Sequence, residues 1–92
     1  MIYYIYKIQF TNVYGNPCEV SIPRKCEDID YPTSLEETKL IIQQQAWAVN
    51  DFNLVTVYTE EINNITASQY NASVADPDGA HPIENWDPEI PL

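Results

Sequence analysis

Glycine, cysteine, histidine and positive charge are all scarce in this chain, and each scarcity removes a class of chemistry. Two glycines, Gly15 and Gly79, cannot build the glycine-rich loop whose backbone N–H groups cradle a phosphate. Two cysteines, Cys18 and Cys26, are too few for a disulfide framework and lack the spacing of a zinc site. The single histidine, His81, stands between Ala80 and Pro82 with no nucleophile or carboxylate held beside it by regular structure. Nucleophilic catalysis needs a positioned base and an orienting group, so this histidine marks no active site. Asp76-Pro77-Asp78-Gly79 opens in the manner of a calcium loop but lacks the later ligands and the closing glutamate, and it reads as a turn. Glu60 and Glu61 are neighbours in a stretch that reads as a strand, which turns them to opposite faces and keeps them from forming one site. The expectation is a non-enzyme with no cofactor and no metal.

Long apolar runs are absent as well. Nothing approaches the roughly 18 residues that span a bilayer, and the opening MIYYIYKIQF has neither the basic start nor the small-residue cleavage site of a signal peptide. The chain is expected to be cytoplasmic, without a membrane partner.

What is abundant is acid. Fourteen acidic residues against four basic ones give a formal net charge of -10, which argues against direct nucleic-acid binding and makes any electrostatic partner a basic protein surface. The surplus is uneven. Residues 1–26 carry Lys7, Arg24 and Lys25 against Glu19, whereas 27–92 carry thirteen acids and only Lys39. Between Glu27 and Glu37 stand Glu27, Asp28, Asp30, Glu36 and Glu37 with no basic residue. With 45% hydrophobic residues, 12% aromatics and seven tyrosines, the 92-residue chain has the means to fold as one small domain.

Residues 2–11 alternate, placing Ile2, Tyr4, Tyr6, Ile8 and Phe10 on one side, which predicts a strand with one buried face. The other face is half apolar at Tyr3 and Ile5, which calls for cover by the tail or a neighbouring chain. Turn residues Tyr14-Gly15-Asn16-Pro17 lead into a second alternating run, Cys18, Val20 and Ile22, so the two form an antiparallel hairpin. Pro23 ends that strand or confines its end to an edge. A loop carrying Glu27, Asp28 and Asp30 follows. Thr33 or Ser34 has the capping-box spacing to Glu36 or Glu37, which predicts a helix from about Leu35 to Phe52 with the two glutamates on its positive end. Its core sector is Leu35, Thr38, Ile41, Ile42, Gln45, Ala46, Val49 and Phe52. Leu54–Thr59 is rich in β-branched residues, predicting a third strand that runs to about Ile62. Residues 63–74 fit a short helical turn or an edge strand equally well. From residue 75 on, four of the seven prolines and five acids make an extended acidic tail. The expectation is an α+β domain over 1–74, a three-stranded antiparallel sheet with one helix on one face, and a tail over 75–92.

Two large side chains fall outside the helix's core sector. Leu40 and Trp47 are seven apart and point away from the core among Glu36, Gln43, Gln44 and Asp51, so the tail, a second copy or a partner must cover them. Ile83, Trp86, Ile90 and Leu92 are too apolar for an idle tail and are suited to strapping back or docking elsewhere. The expected partner-binding set is therefore Glu27, Asp28, Asp30, Glu36, Glu37, Leu40, Gln44, Trp47, Asp51 and Trp86.

In size, charge and architecture the chain resembles the small acidic α+β proteins carried by phages and other mobile elements that inhibit host defence or DNA-processing machinery. That likeness implies an inhibitor of the anti-CRISPR or DNA-mimic kind, with carboxylates standing where phosphates would lie on a basic surface. Two alternatives stay open: an immunity protein against a cationic nuclease toxin, and a virion or assembly subunit that oligomerises, as a homodimer or beyond, through its tail.

Overall fold

Period-two alternation makes the first strand, and it becomes the centre of the sheet. The computed structural model describes residues 1–75; the expected tail, with His81, Ile83, Trp86, Ile90 and Leu92, lies outside the described residues. β1 (Ile2–Thr11) and β2 (Pro17–Cys26) form the hairpin, and β3 (Tyr58–Ile65) pairs antiparallel with the other side of β1, giving the order β2-β1-β3. The α+β architecture expected from the sequence is therefore present, with the first strand in the middle. Asn12 builds the hairpin turn: its side-chain oxygen accepts the N–H groups of Tyr14 at 3.0 Å and Asn16 at 2.9 Å. Gly15 supplies the turn's left-handed residue at φ 83°. β2 runs through Pro23 to Cys26, which a proline allows only on an edge strand with its nitrogen turned outward.

α1 (Tyr31–Gln43) begins four residues earlier than the capping-box spacing indicates. Pro32 starts the helix instead of delaying it, because the missing N–H falls where helical N–H groups have no partner anyway. The Ser34 hydroxyl is engaged elsewhere, at 2.7 Å from the Tyr4 hydroxyl. Glu36 and Glu37 consequently sit beyond the first turn, and Asp28 and Asp30, in the 3-10 turn before the helix, take the place beside its positive end.

The predicted single helix is broken. Gln45 is extended at ψ 147°, and α2 (Ala46–Asp51) starts after it in a new direction. The break is tolerated because side chains satisfy carbonyls that the interruption frees: Gln45 donates to Ile41 O at 3.2 Å and Asn53 to Gln43 O at 3.4 Å. It swings Trp47 onto the core, where the indole stacks on Phe10 with centroids 6.2 Å apart and planes 8° from parallel. Phe52 completes that aromatic group, edge-on to Phe10 at 5.3 Å and to Tyr58 at 5.2 Å. Helical spacing carried past residue 44 thus misplaces side chains: Ala48 is buried, whereas Ala46 and Val49 are exposed. Leu40, 47% exposed, stays on the solvent side of α1, so the expected Leu40–Trp47 pair does not exist.

The third strand also starts later than its composition indicates. Tyr58 opposes Phe10, and β1 ends one residue beyond, so Leu54–Val57 has no strand to pair with and forms a loop. α3 (Ala67–Ala75) resolves the ambiguous stretch. Thr66 and Gln69 form a reciprocal capping box, Gln69 N–H to the Thr66 hydroxyl at 3.1 Å and Thr66 N–H to the Gln69 side chain at 2.9 Å. The helix crosses the second face of the sheet and lays Tyr70 against Tyr3 at 5.3 Å, so the apolar half of that face is covered from within the chain.

Stability measurements separate the two residues that the sequence had paired. Trp47→Ala removes half-buried stacked area and is expected to lower the unfolding free energy by about 2 kcal/mol. Leu40→Ala is expected to change it by less than about 0.5 kcal/mol. Equal urea midpoints for both variants would contradict the observed packing.

Candidate functional site

The turn and helix start between β2 and α1 gather the acidic residues. Glu27, Asp28 and Asp30 are all exposed on the 3-10 turn, and Glu36 is exposed on α1. Ile29 projects from the middle of this group with 88% of its surface in solvent. Ile29 carries only one signal in the sequence, an isoleucine set between aspartates in a segment with no regular period. Only two of the five carboxylates are neutralised by an ion pair among the described residues. Asp28 lies 3.6 Å from the N-terminal ammonium, and Glu37 lies 3.7 Å from the guanidinium of Arg24.

The remaining expected residues do not join this surface. Gln44 caps the end of α1, Trp47 packs on the core, and Asp51 is half-buried at the end of α2. Trp86 lies outside the described residues. The acids of 27–37 and the pair Trp47 and Asp51 therefore belong to different parts of the molecule, because the break at Gln45 turns α2 away from the line of α1.

Every cation of the described residues is engaged. Lys7 pairs with Glu19 at 3.6 Å, Lys39 with Glu60 at 3.1 Å, and Lys25 lies 5.7 Å from the centre of the Tyr70 ring. Arg24 is only 3% exposed beneath α1, and its Nε and Nη1 have no hydrogen-bond partner among the described residues. Holding a guanidinium in this way costs stability that Glu37 partly offsets.

Lys39, Tyr58, Glu60 and Tyr6 form a second polar group, where α1 meets β3. Lys39 donates to the Tyr58 hydroxyl and to Glu60, and the Tyr6 hydroxyl also bonds Glu60. Burial pushes the Glu60 carboxyl up, but the hydrogen bonds from Lys39, Tyr6 and Tyr58 outweigh it and hold the group below its usual range. Lys39 is raised by its bonds to Tyr58 and Glu60, and Tyr6 is raised well above a free phenol by burial and then by Glu60.

A cleft of about 540 Å³ at the hairpin end is lined by Phe10, Cys18, Glu19 and Tyr58 among others. Cys18 there gives its S–H to the Asn16 carbonyl at 3.6 Å, and burial raises the thiol. Cys26 is raised chiefly by burial too, and both cysteines are free. Among the described residues no group of three His, Cys, Asp or Glu side chains is placed to hold a metal ion, and no helix is long and apolar enough to cross a membrane. No protein-family model, no curated protein and no solved structure matches the chain.

The polar group at Glu60 predicts how stability follows pH. Glu60, lowered on folding, contributes fully above its unfolded pKa of about 4.3, and that contribution is lost as pH falls through the folded value. Lys39 and Tyr6, raised on folding, contribute fully below about 10, and their share is lost as pH rises through the folded values. Urea midpoints are expected to be level between about pH 5.5 and 9 and to drop on both sides. Glu60→Gln should flatten both limbs, by about 0.5 kcal/mol for a half-exposed pair. Unchanged limbs in that variant would assign the pH dependence to other groups.

Proposed function

We propose that the chain is a non-enzymatic binding protein that occupies a basic, nucleic-acid-handling surface on another protein and keeps its natural ligand off. The observation that carries this reading is the exposed turn Glu27-Asp28-Ile29-Asp30 followed by Glu36, in a molecule whose described lysines and arginine all have partners of their own. Glu27, Asp30 and Glu36, which have no ion-pair partner among the described residues, favour a positively charged face and speed encounter with it, while an apolar knob among them supplies the desolvated contact that slows release. Ile29 takes the anchoring role that the sequence had assigned to Leu40 and Trp47; Leu40, beside Glu36 on α1, extends the same side. A phage or mobile-element inhibitor of host defence or DNA-processing machinery is the biological setting that fits this chemistry.

The test is competition on basic host nucleases and defence effectors, read by surface binding with duplex DNA present. Mutually exclusive binding of chain and DNA is expected, and a ternary complex would overturn the reading. Reversing Asp28 and Asp30 to lysine should lower the association rate about tenfold and weaken its salt dependence. Ile29→Ala should mainly raise the dissociation rate, also about tenfold. Identical kinetic effects from the two changes would remove the division between steering acids and anchor.

A further inference from the structure

The order β2-β1-β3 leaves two outer edges, and they are treated differently. β2 carries Pro17 and Pro23 and lies between α1 on one face and α3 on the other. β3 has no proline, and six of its eight residues are exposed. α1 reaches it through Lys39 at Tyr58 and Glu60 and through Tyr31 at Asn64, 3.4 Å away.

Pro23 fixes which backbone groups of β3 face outward. Having no N–H, Pro23 turns its ladder position out of the sheet, so its partner Ile5 sends its N–H and C=O the other way, to Asn63 on β3. The register is unbroken along β3, so Thr59, Glu61, Asn63 and Ile65 bond to β1. Tyr58, Glu60, Ile62 and Asn64 therefore present N–H and C=O groups at the edge that no strand among the described residues pairs with. Their side chains lie on the α1 face, where Ile62 is 37% exposed.

The strand reads Glu60-Glu61-Ile62-Asn63-Asn64, which is complementary to itself about Ile62. We propose that two copies join β3 to β3, antiparallel, about a two-fold axis at Ile62, making one continuous six-stranded sheet. In that register the outward-facing residues meet each other: Ile62 opposite Ile62 of the second copy, and Glu60 opposite Asn64 of the second copy, each pair exchanging two backbone hydrogen bonds. Glu61, which accepts from the Asn63 carboxamide of its own strand at 3.1 Å, faces Asn63 of the second copy on the other side of the sheet, so each carboxylate meets a carboxamide across the edge rather than a second carboxylate. Moving the axis to Glu61 or to Glu60 sets carboxylate against carboxylate, which is unfavourable. Moving it toward Asn63 shortens the paired stretch. The two Ile62 side chains cover one another between the two copies of α1.

This association differs in sign from capture of a basic partner. Two acidic copies repel at long range, so the dimer tightens as salt rises, whereas a complex with a basic surface loosens. Sedimentation equilibrium on the full chain tests it. A monomer–dimer equilibrium is expected that tightens several-fold between about 0.05 M and 0.5 M NaCl. Asn63→Asp should weaken it about tenfold by facing Glu61 with a carboxylate, and Asn63→Lys should tighten it by a similar factor. Ile62→Pro removes an outward N–H and should give a folded monomer. The amides of Glu60, Ile62 and Asn64 should gain hydrogen-exchange protection with protein concentration, out of phase with those of Glu61 and Asn63. A monomer up to about 1 mM, or a dimer insensitive to both Asn63 variants, would overturn the proposal. Should Ile62→Pro fail to fold, the exposed Asn63 pair still decides it. Loss of the dimer leaves the acidic-turn reading standing, since that surface is assayed separately.

Discussion

The hydroxyl of Tyr4 ties the central strand to the helix above it, and most of the molecule's geometry depends on that tie. Tyr4 is fully buried, with its oxygen 2.7 Å from Ser34 and 2.9 Å from Thr38, and Thr38 in turn donates to the Ser34 carbonyl at 2.8 Å. One proton arrangement satisfies all three: Ser34 gives to Tyr4, Tyr4 gives to Thr38, and Thr38 gives to the backbone. A phenol in the core would otherwise be a buried polar group without a partner. The chain of donors sets the rotation of α1 as well as its position. With Ser34 and Thr38 turned to the sheet, Glu37 falls on the β2 side near Arg24, Lys39 falls on the β3 side near Glu60, and Glu36 and Leu40 are left to solvent. Shape and charge on that face are therefore fixed together.

Period-two alternation was enough to read β1 and β2, because a strand with one buried face repeats its pattern without reference to anything distant. The helical part was legible only as far as Gln44. Up to there Thr38, Ile41 and Ile42 face the core as their spacing requires; past it, the angle accumulated along one helix no longer applies. Nothing local forces the break, since the three glutamines at 43–45 are good helix formers. What decides it is tertiary: Phe10 offers a flat apolar surface at one end of the sheet, and a bend lets Trp47 and Phe52 both reach it. Leu54–Val57 shows the same override in β form, a strand-like composition left unpaired because β1 had already ended. α3 is the contrary case. Its capping box at Thr66 and Gln69 was present in the sequence and was obscured by the polar run around it. Of the candidate site, the acidic turn was legible from charge alone, whereas Ile29 and the neutralisation of Glu37 required coordinates.

Charge in the described residues is sorted by the sheet. Lys7, Arg24 and Lys39 each take a carboxylate from a neighbouring strand or helix, and Lys25 sits over an aromatic ring, which leaves negative charge to accumulate where no strand or helix supplies a cation. That place is the 3-10 turn leading into α1. The positive end of the helix backbone lowers the cost of concentrating acids there. Stability and recognition thus pull in one direction at the turn: the same aspartates that suit the helix start are also the ones most available to a basic surface.

A three-stranded sheet has proportionally more edge than a larger one, and an acidic edge is usually read as a device against pairing. On β3 the acids are arranged more selectively than that role requires. Were exclusion the only demand, carboxylates would serve at any position; the asparagines that follow them bond Glu61 and Tyr31 within the chain and also keep the far half of the edge uncharged. Two glutamates and two asparagines disposed evenly about Ile62 instead penalise the registers that align carboxylates and leave one in which every carboxylate meets a carboxamide. Pro23, on the opposite edge, determines which phase of β3 faces outward, because the alternation of hydrogen bonds passes through β1 without a bulge. A residue on one edge of the sheet thereby sets the pairing rule of the other. Both edges follow from the single requirement that Ile5 direct its backbone groups toward β3, because Pro23 has no N–H to give in return.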